Sequence, residues 1–165
     1  IVDCDMRKGR LYSVFNISPA PGVSNYLTGV NVGEDVNGIA SFMQEVDMPN
    51  LYVIPAGNIP PNPSELLISP KMKKMLNELK EIVDVIIIDG TPCDLVTDST
   101  IISRIVDQTI IVCACNTTKM EDLNETKKKI ETAGGKVTGI VLNKIPSGGK
   151  RYEERYYYGS TPRKK

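Results

Sequence analysis

Acidic side chains follow two apolar segments of this sequence. Asp3 and Asp5 come directly after Ile1 and Val2, and Asp89 follows the apolar run 85–88. Ligands of open α/β sheets bind at the carboxyl ends of parallel strands, so we expect the three carboxylates to meet at one edge of a sheet. A carboxylate just beyond a buried strand is costly unless a cation, a metal ion or hydrogen-bond donors compensate it. Because Mg²⁺ prefers oxygen ligands and shares its shell with water and phosphates, the pattern favours a Mg²⁺–nucleotide site.

A purely structural role is the alternative for each aspartate taken alone, since an aspartate after a strand can cap the following loop or helix. Two strands that both end in aspartate, the first with a second aspartate and Arg7 close behind, favour the ligand site over the cap. Asp94, Asp98 and Asp107 lack such a setting, and we interpret them as caps or surface charges.

Strands and helices alternate along the chain and would position these residues. Continuous β-branched runs at 1–2, 51–54, 85–88, 109–112 and 137–142 are typical of strands buried on both faces of a parallel sheet. A helical stripe follows Ser69 as far as Val83, a capping box at 118–121 opens a second helix, and a third is expected over 98–106. The pattern predicts an α/β fold with a doubly wound, mostly parallel sheet and helices on both faces.

Composition excludes several classes of function. The chain has 165 residues, 41% of them hydrophobic, which fits one globular domain, and its apolar runs of four to six residues are too short to span a membrane. There is no histidine, which removes histidine-based metal sites and general bases. The four cysteines fit no zinc spacing and indicate small buried residues in a reducing cytosol.

The apolar pattern stops after Pro146, and residues 147–165 are expected to form a flexible, tyrosine-rich tail. Residues 144–165 carry seven basic side chains against two glutamates, a net charge of +5, so the neutral chain has an acidic body. That distribution argues against a general nucleic-acid binder. Composition alone leaves three interpretations of the tail open: a solvated extension, a set of phosphoacceptor tyrosines, or a segment that binds RNA or an anionic membrane.

The string Asp3-Cys4-Asp5-Met6-Arg7-Lys8 resembles the second Walker-type motif of the bacterial tyrosine kinases (BY-kinases), which are deviant-Walker P-loop proteins tied to capsule and exopolysaccharide synthesis. The resemblance continues in order along essentially the whole chain. Its further strings are Pro21-Gly22-Val23-Ser24-Asn25-Tyr26-Leu27-Thr28-Gly29, Val53-Ile54-Pro55-Ala56-Gly57, Pro60-Pro61-Asn62-Pro63-Ser64-Glu65-Leu66-Leu67, the strand ending at Asp89, Val96-Thr97-Asp98, Val141-Leu142-Asn143, and the tail tyrosines Tyr152, Tyr156, Tyr157 and Tyr158.

The resemblance implies a role for each matched residue. Asp3 and Asp5 would lie beside the γ-phosphate and Mg²⁺, with one of them accepting the tyrosine proton, and Asp89 would hold Mg²⁺ partly through water. Arg7 would lie near the phosphates or a subunit contact, and Asn143 near the adenine. The tail tyrosines would be autophosphorylated by a neighbouring subunit of a homo-oligomer. Residues 1–146 would then be a partial kinase domain, with ATP and Mg²⁺ as its cofactors.

No G-x-x-x-x-G-K-[ST] string, the loop that cradles phosphates in P-loop proteins, occurs in the sequence. Together with the first residue, an isoleucine, this predicts a chain that is truncated at its N-terminus, lacks its first strand and P-loop, and is inactive by itself. We also expect Ile1 and Val2 to lie at an exposed sheet edge or to be poorly ordered.

The resemblance implies a cytoplasmic protein-tyrosine kinase that regulates capsular or exopolysaccharide synthesis. A membrane-embedded activator of the chain-length-regulator type would hold it at the inner face of the membrane, and no nucleic-acid partner is expected. Two alternatives remain. One is a partitioning ATPase of the same superfamily, which has no need of clustered tail tyrosines, and the other is a catalytically inactive assembly module.

Overall fold

The computed structural model describes residues 1–30, 38–93 and 95–146. The strands are β1 (Val2–Asp3), β2 (Gln44–Glu45), β3 (Tyr52–Val53), β4 (Ile88–Asp89), β5 (Thr109–Ala114) and β6 (Val137–Asn143). The helices are α1 (Leu11–Val14), α2 (Val23–Thr28), α3 (Pro63–Ile68), α4 (Pro70–Lys80), α5 (Asp98–Ile102) and α6 (Met120–Thr132), with a short 3-10 helix over Ile39–Phe42. The predicted tail, 147–165, and Asp94 lie outside the described residues.

Strand β1 has hydrogen-bonded neighbours on both sides. It pairs in parallel with β4, which places Val2 beside Ile88 and Asp3 beside Asp89. On its other side the amide of Asp3 donates to the carbonyl of Ile54 at 2.9 Å, next to a parallel bridge between Val2 and Ile54. The expectation that Ile1 and Val2 lie at an exposed edge is therefore wrong, because segments about 50 and 85 residues further along the chain cover both sides of this strand.

Strands β5 and β6 form a second parallel pair, which runs from Thr109 beside Val137 to Ala114 beside Asn143. Within the described residues this pair is not hydrogen-bonded to β1 and β4. Apolar side chains just before β4 and on β5 and β6 are at least half exposed. They are Val85, Ile87, Ile110, Val112 and Ile140. Strand β4 is shorter than the expected run 85–88, because within the described residues only Ile88 and Asp89 pair with β1.

Helix α4 fulfils its sequence prediction most closely. The Ser69 hydroxyl caps it by accepting a hydrogen bond from the amide of Met72, and Pro70 occupies the first turn. Four apolar side chains of one face are buried in the main core, which also contains Val2, Val23 and Leu67: Met72, Met75, Leu76 and Leu79. Ile82 was expected on the same stripe but is half exposed, because the helix ends at Lys80.

Two other helices depart from their sequence predictions. Helix α5 ends at Ile102 rather than near Val106, and turns complete the segment. The capping box at 118–121 is absent, because the Thr118 hydroxyl accepts a hydrogen bond from the amide of Ala114 instead, and Lys119 takes the N-cap position. A short antiparallel pair, β2 with β3, was not anticipated.

No described helix is both long and apolar enough to cross a bilayer. The longest of them, α6, has 13 residues and buries only Ile130 among its side chains.

The first turn of α2 rests on the backbone of the loop after β3. The carbonyls of Pro55 and Ala56 accept hydrogen bonds from the amides of Val23 and Ser24, at 2.9 and 3.0 Å. A side chain at Gly22 would collide with the Pro55 carbonyl oxygen, whereas nothing lies within 4 Å of the corresponding position at Gly139 in β6. This contact between two main chains therefore requires glycine at position 22.

We expect Gly22→Ala to lower the free energy of unfolding by about 1–3 kcal/mol, the usual cost of forcing extra volume into a packed site. Gly139→Ala is the matched control, and it should leave stability unchanged or raise it by up to about 1 kcal/mol, because alanine costs less backbone entropy than glycine in a strand. Urea unfolding measures both variants. Equal effects would show that the contact between α2 and the loop does not limit position 22.

Candidate functional site

The site is built on the parallel pairing of β1 and β4. Each strand ends in an aspartate, and the register places Asp3 directly beside Asp89. Neighbouring strands lie about 4.8 Å apart, so the two carboxylates are adjacent at the carboxyl ends of the strands. The structure thus brings together two of the acidic residues that the sequence singled out, at the sheet edge where α/β proteins bind ligands.

Asp3 organises the loop that follows β1. It is fully buried, and its two carboxylate oxygens accept hydrogen bonds from the amides of Asp5 and Leu11, each at 3.1 Å. Burial raises the pKa of Asp3, the two amide hydrogen bonds lower it in part, and the charges of Asp89 and Asp5 add to the rise. Both oxygens of this carboxylate therefore already have protein donors.

Asp5 has one carboxylate oxygen engaged and one that is not. Its Oδ1 accepts hydrogen bonds from the amides of Arg7 at 3.1 Å and Lys8 at 2.9 Å, while Oδ2 has no hydrogen bond within the described residues. The side chain lines a cavity of about 210 Å³ that also contacts Tyr12 and Ile59. Asp5 is thus the loop carboxylate with an oxygen available to a ligand.

Asp89 lies at the surface as the last residue of β4, and its carboxylate makes no hydrogen bond or ion pair within the described residues. Partial loss of hydration raises the pKa of Asp89, and the charge of Asp5 adds to the rise. A carboxylate that has a raised pKa and forms no ion pair within the described residues is a candidate for a functional site.

Arg7 contacts two residues from distant parts of the chain. Its Nε donates to Asp98 Oδ2 at 2.9 Å, and its Nη2 donates to the Ser64 hydroxyl at 3.2 Å. The guanidinium is 40% exposed while the Asp98 carboxylate is 1% exposed. In this structure Arg7 links the loop after β1 to Asp98 and Ser64. Its predicted role near phosphates or at a subunit contact stays a prediction.

The sequence analysis interpreted Asp98 as a cap or a surface charge, and both interpretations are wrong, because its carboxylate is buried and bonds to Arg7 and Ser64. Burial raises its pKa, but hydrogen bonds from Arg7 and Ser64 and the charge of Arg7 outweigh burial, so the pKa lies below its usual value. Ser64 and Asp98 are the site residues that sequence reasoning missed. The only signal for them was that both lie in sequence strings that resemble the kinase family. Their contact with Arg7 could not be seen from the sequence, because Arg7 and Asp98 are 91 residues apart.

Asn143 lies on a different pair of parallel strands from Asp3 and Asp89. It ends β6, its carbonyl accepts the amide of Cys115 at 2.8 Å, and its side chain accepts the amide of Lys144. It belongs to the parallel pair that is not joined to β4 within the described residues. The tail tyrosines Tyr152, Tyr156, Tyr157 and Tyr158 lie outside the described part of the chain.

The donor set fits a magnesium ion that shares its shell with phosphates. The described residues contain no group of three or more acidic or cysteine side chains that could hold a metal by themselves. Mg²⁺ usually takes one or two protein carboxylates and completes its octahedron with water and substrate phosphates. Adjacent Asp3 and Asp89 provide that number of carboxylates. Asp89 makes no hydrogen bond within the described residues, whereas both oxygens of Asp3 accept backbone amides, so Asp3 would act on an ion through water.

No protein-family model matches the chain. A curated relative does: tyrosine-protein kinase CpsD of Streptococcus agalactiae is 33% identical, and the alignment covers 100% of this chain and 70% of CpsD. This chain belongs to the bacterial tyrosine kinase family. BY-kinases that are much longer also match it. Tyrosine-protein kinase ptk of Acinetobacter johnsonii is 36% identical over 92% of this chain, but the chain spans only 20% of ptk.

Solved BY-kinase domains have the same fold. The kinase domain of Escherichia coli ETK aligns with a TM-score of 0.81 and 27% identity, covering 90% of this chain and 56% of that domain. The kinase domain of VpsO aligns with a TM-score of 0.77 and 33% identity, covering 88% of this chain and 69% of that domain. These likenesses confirm both the predicted family and the predicted P-loop NTPase-like α/β class.

The raised pKa of Asp89 predicts the sign of a stability change. A carboxylate whose pKa is higher in the folded than in the unfolded protein destabilises the fold above that pKa and has no effect where both states are protonated. In EDTA at pH 7, Asp89→Asn should therefore raise the free energy of unfolding, by up to about 1 kcal/mol because solvent screens this exposed group. The gain should vanish near pH 3.

Urea unfolding at the two pH values measures this effect, with the exposed Asp84→Asn as the control for loss of a surface charge. A loss of stability at pH 7 in Asp89→Asn would show that the ionised carboxylate stabilises the fold.

Proposed function

We propose that this chain forms the greater part of the catalytic domain of an ATP- and Mg²⁺-dependent protein-tyrosine kinase. The observation that carries the proposal is the adjacency of Asp3 and Asp89 at the carboxyl ends of paired parallel strands, with Asp5 beside a cavity. Relatives that bear the name tyrosine-protein kinase support it, among them wzc of Salmonella typhi, which is 32% identical over 96% of this chain.

In this proposal Asp89 and Asp3 hold the magnesium ion, in part through water. The ion supplies positive charge that neutralises the triphosphate, on which phosphoryl transfer depends more than on covalent help from the protein. Asp3 holds the loop after β1 in place through the amides of Asp5 and Leu11. Arg7 adds positive charge at the phosphates, and Asn143 contacts the adenine.

Asp5 rather than Asp3 accepts the proton of the tyrosine hydroxyl. The resemblance to the family left open which aspartate accepts the proton, and two observations favour Asp5. Both oxygens of Asp3 accept backbone amides, whereas Oδ2 of Asp5 has no donor within the described residues. Asp5 also lines the cavity in which Tyr12 and Ile59 provide apolar contacts for an aromatic ring.

The acceptors are the tail tyrosines, Tyr152, Tyr156, Tyr157 and Tyr158, presented to a neighbouring subunit of a homo-oligomer. The kinase regulates capsular or exopolysaccharide synthesis from the cytoplasmic face of the membrane. A membrane-embedded activator of the chain-length-regulator type places it there. This part of the proposal rests on the family to which the chain belongs.

Phosphotyrosine mapping tests the kinase. The full-length protein, incubated with Mg-ATP and the cytoplasmic segment of the activator, should acquire phosphate on the tail tyrosines. Asp5→Asn should reduce the initial rate by about 100-fold or more, the usual contribution of a general base. The exposed Asp84→Asn should keep the full rate. Mass spectrometry identifies the sites, and thermal melting shows whether each variant is folded.

Other results would select the alternatives. ATP hydrolysis with an unmodified tail would favour a partitioning ATPase, and a folded protein that does not bind ATP would favour an inactive assembly module. Tail phosphorylation that persists at full rate in Asp5→Asn would remove Asp5 from proton transfer.

Phosphorylation of the tail should weaken contacts between subunits. Each phosphate adds about −1.5 to −2 charges, so four of them add about −6 to −8 and reverse the sign of a segment that carries +5. We expect the dephosphorylated full-length protein to have the larger mass by light scattering, at equal concentration and salt. A mass that does not change upon phosphatase treatment would contradict this regulatory role.

A further inference from the structure

Helix α5 begins with two consecutive residues that contact two different loops of the site. Asp98 accepts hydrogen bonds from Arg7 Nε at 2.9 Å and Arg7 Nη2 at 3.4 Å, and it also accepts one from the Ser64 hydroxyl. Ser99 donates from its hydroxyl to the carbonyl of Thr91. Arg7 belongs to the loop after β1, and Thr91 belongs to the loop after β4.

Each of these loops carries one of the acidic residues. Arg7 lies two residues beyond Asp5, and its amide is bonded to the Asp5 carboxylate. Thr91 lies two residues beyond Asp89 and is itself 5% exposed. Asp98 therefore contacts the Asp5 loop, and its chain neighbour Ser99 contacts the Asp89 loop.

The contacts of Asp98 and Ser99 are close enough to fix the positions of the two loops. The Asp98 carboxylate is 1% exposed, and Arg7 is its only cationic partner among the described residues. Removing one member of a buried ion pair leaves an uncompensated charge, so this carboxylate strongly favours one position of the guanidinium. On the other side, a side chain at Gly90 would collide with the Ser99 hydroxyl, so the loop passes directly against α5.

We propose that Asp98 and Ser99 are positioning residues that set the distance between Asp5 and Asp89. The inference rests on the proposed kinase function, in which one carboxylate accepts a proton and the other holds Mg²⁺. Neither residue touches the reacting groups. Both act through the loops they bind, so that the first turn of α5 joins the base and the metal ligand in one rigid unit.

Two single variants separate the loops. Asp98→Asn removes the charge that holds Arg7, and Ser99→Ala removes the hydroxyl that holds Thr91. Ser103→Ala is the control. Ser103 is a buried serine directly after this helix, whereas Ser99 is partly exposed, and within the described residues the Ser103 hydroxyl bonds only locally, to the carbonyl of Thr100 at 2.7 Å. All three are made in the full-length protein.

Amide hydrogen exchange without nucleotide is the first readout. Ser99→Ala should speed exchange in residues 89–92 and leave residues 4–11 unchanged, whereas Asp98→Asn should do the reverse. Ser103→Ala should alter neither segment. Equal exchange in Ser99→Ala and Ser103→Ala, or acceleration spread evenly over the domain, would overturn the proposal, because either result denotes general stability rather than positioning.

The Mg²⁺ concentration that gives half-maximal tail phosphorylation is the second readout. Loss of a residue that orients a metal ligand costs about 10-fold or more in metal affinity, so Ser99→Ala should raise this concentration about 10-fold. Asp98→Asn should instead lower kcat with little change in the Mg²⁺ requirement. An unmodified tail in the wild-type protein would refute the kinase function. If the wild type is active and both Asp98→Asn and Ser99→Ala behave like Ser103→Ala, only the positioning role is refuted.

Discussion

The carboxylates of Asp3 and Asp89 repel each other, and the pairing of β1 with β4 keeps them adjacent despite this repulsion. The register of β1 with β4 fixes their spacing, and burial adds to the cost by raising the pKa of Asp3. Backbone amides from the following loop compensate Asp3, but no cation within the described residues compensates Asp89. Ionising these two carboxylates therefore costs more in the folded protein than in the unfolded chain.

Sequence patterns predicted the features that depend on residues close to one another in the chain. The buried face of α4 and its Ser69 cap follow from helical spacing and capping chemistry, and both are confirmed. That Asp3 and Asp89 lie at one sheet edge also followed, because parallel strands of one sheet place the residues at their carboxyl ends at the same edge, whereas their direct adjacency depends on the pairing of β1 with β4. The resemblance to BY-kinases supplied the family, and the comparison with CpsD confirms it.

Contacts between distant segments could not be predicted in this way. Val2 is covered by Ile54 and Ile88, and no property of the first two residues indicates this. Asp98 has the sequence context of an ordinary helix start, and only its contact with Arg7 distinguishes it from an exposed aspartate. The difference between Asp3 and Asp5 likewise depends on which oxygens accept backbone amides, which the spacing of the two residues does not show.

The open edges of β4 and β5 affect how the protein behaves at high concentration. Within the described residues each of these strands is paired on one side only, and exposed Val112 and Ile87 lie along them. Such an edge offers unpaired main-chain donors and acceptors to any extended peptide, including another copy of the same chain. Solubility of these residues in isolation would thus be limited by strand addition and aggregation, which a neutral net charge does little to oppose.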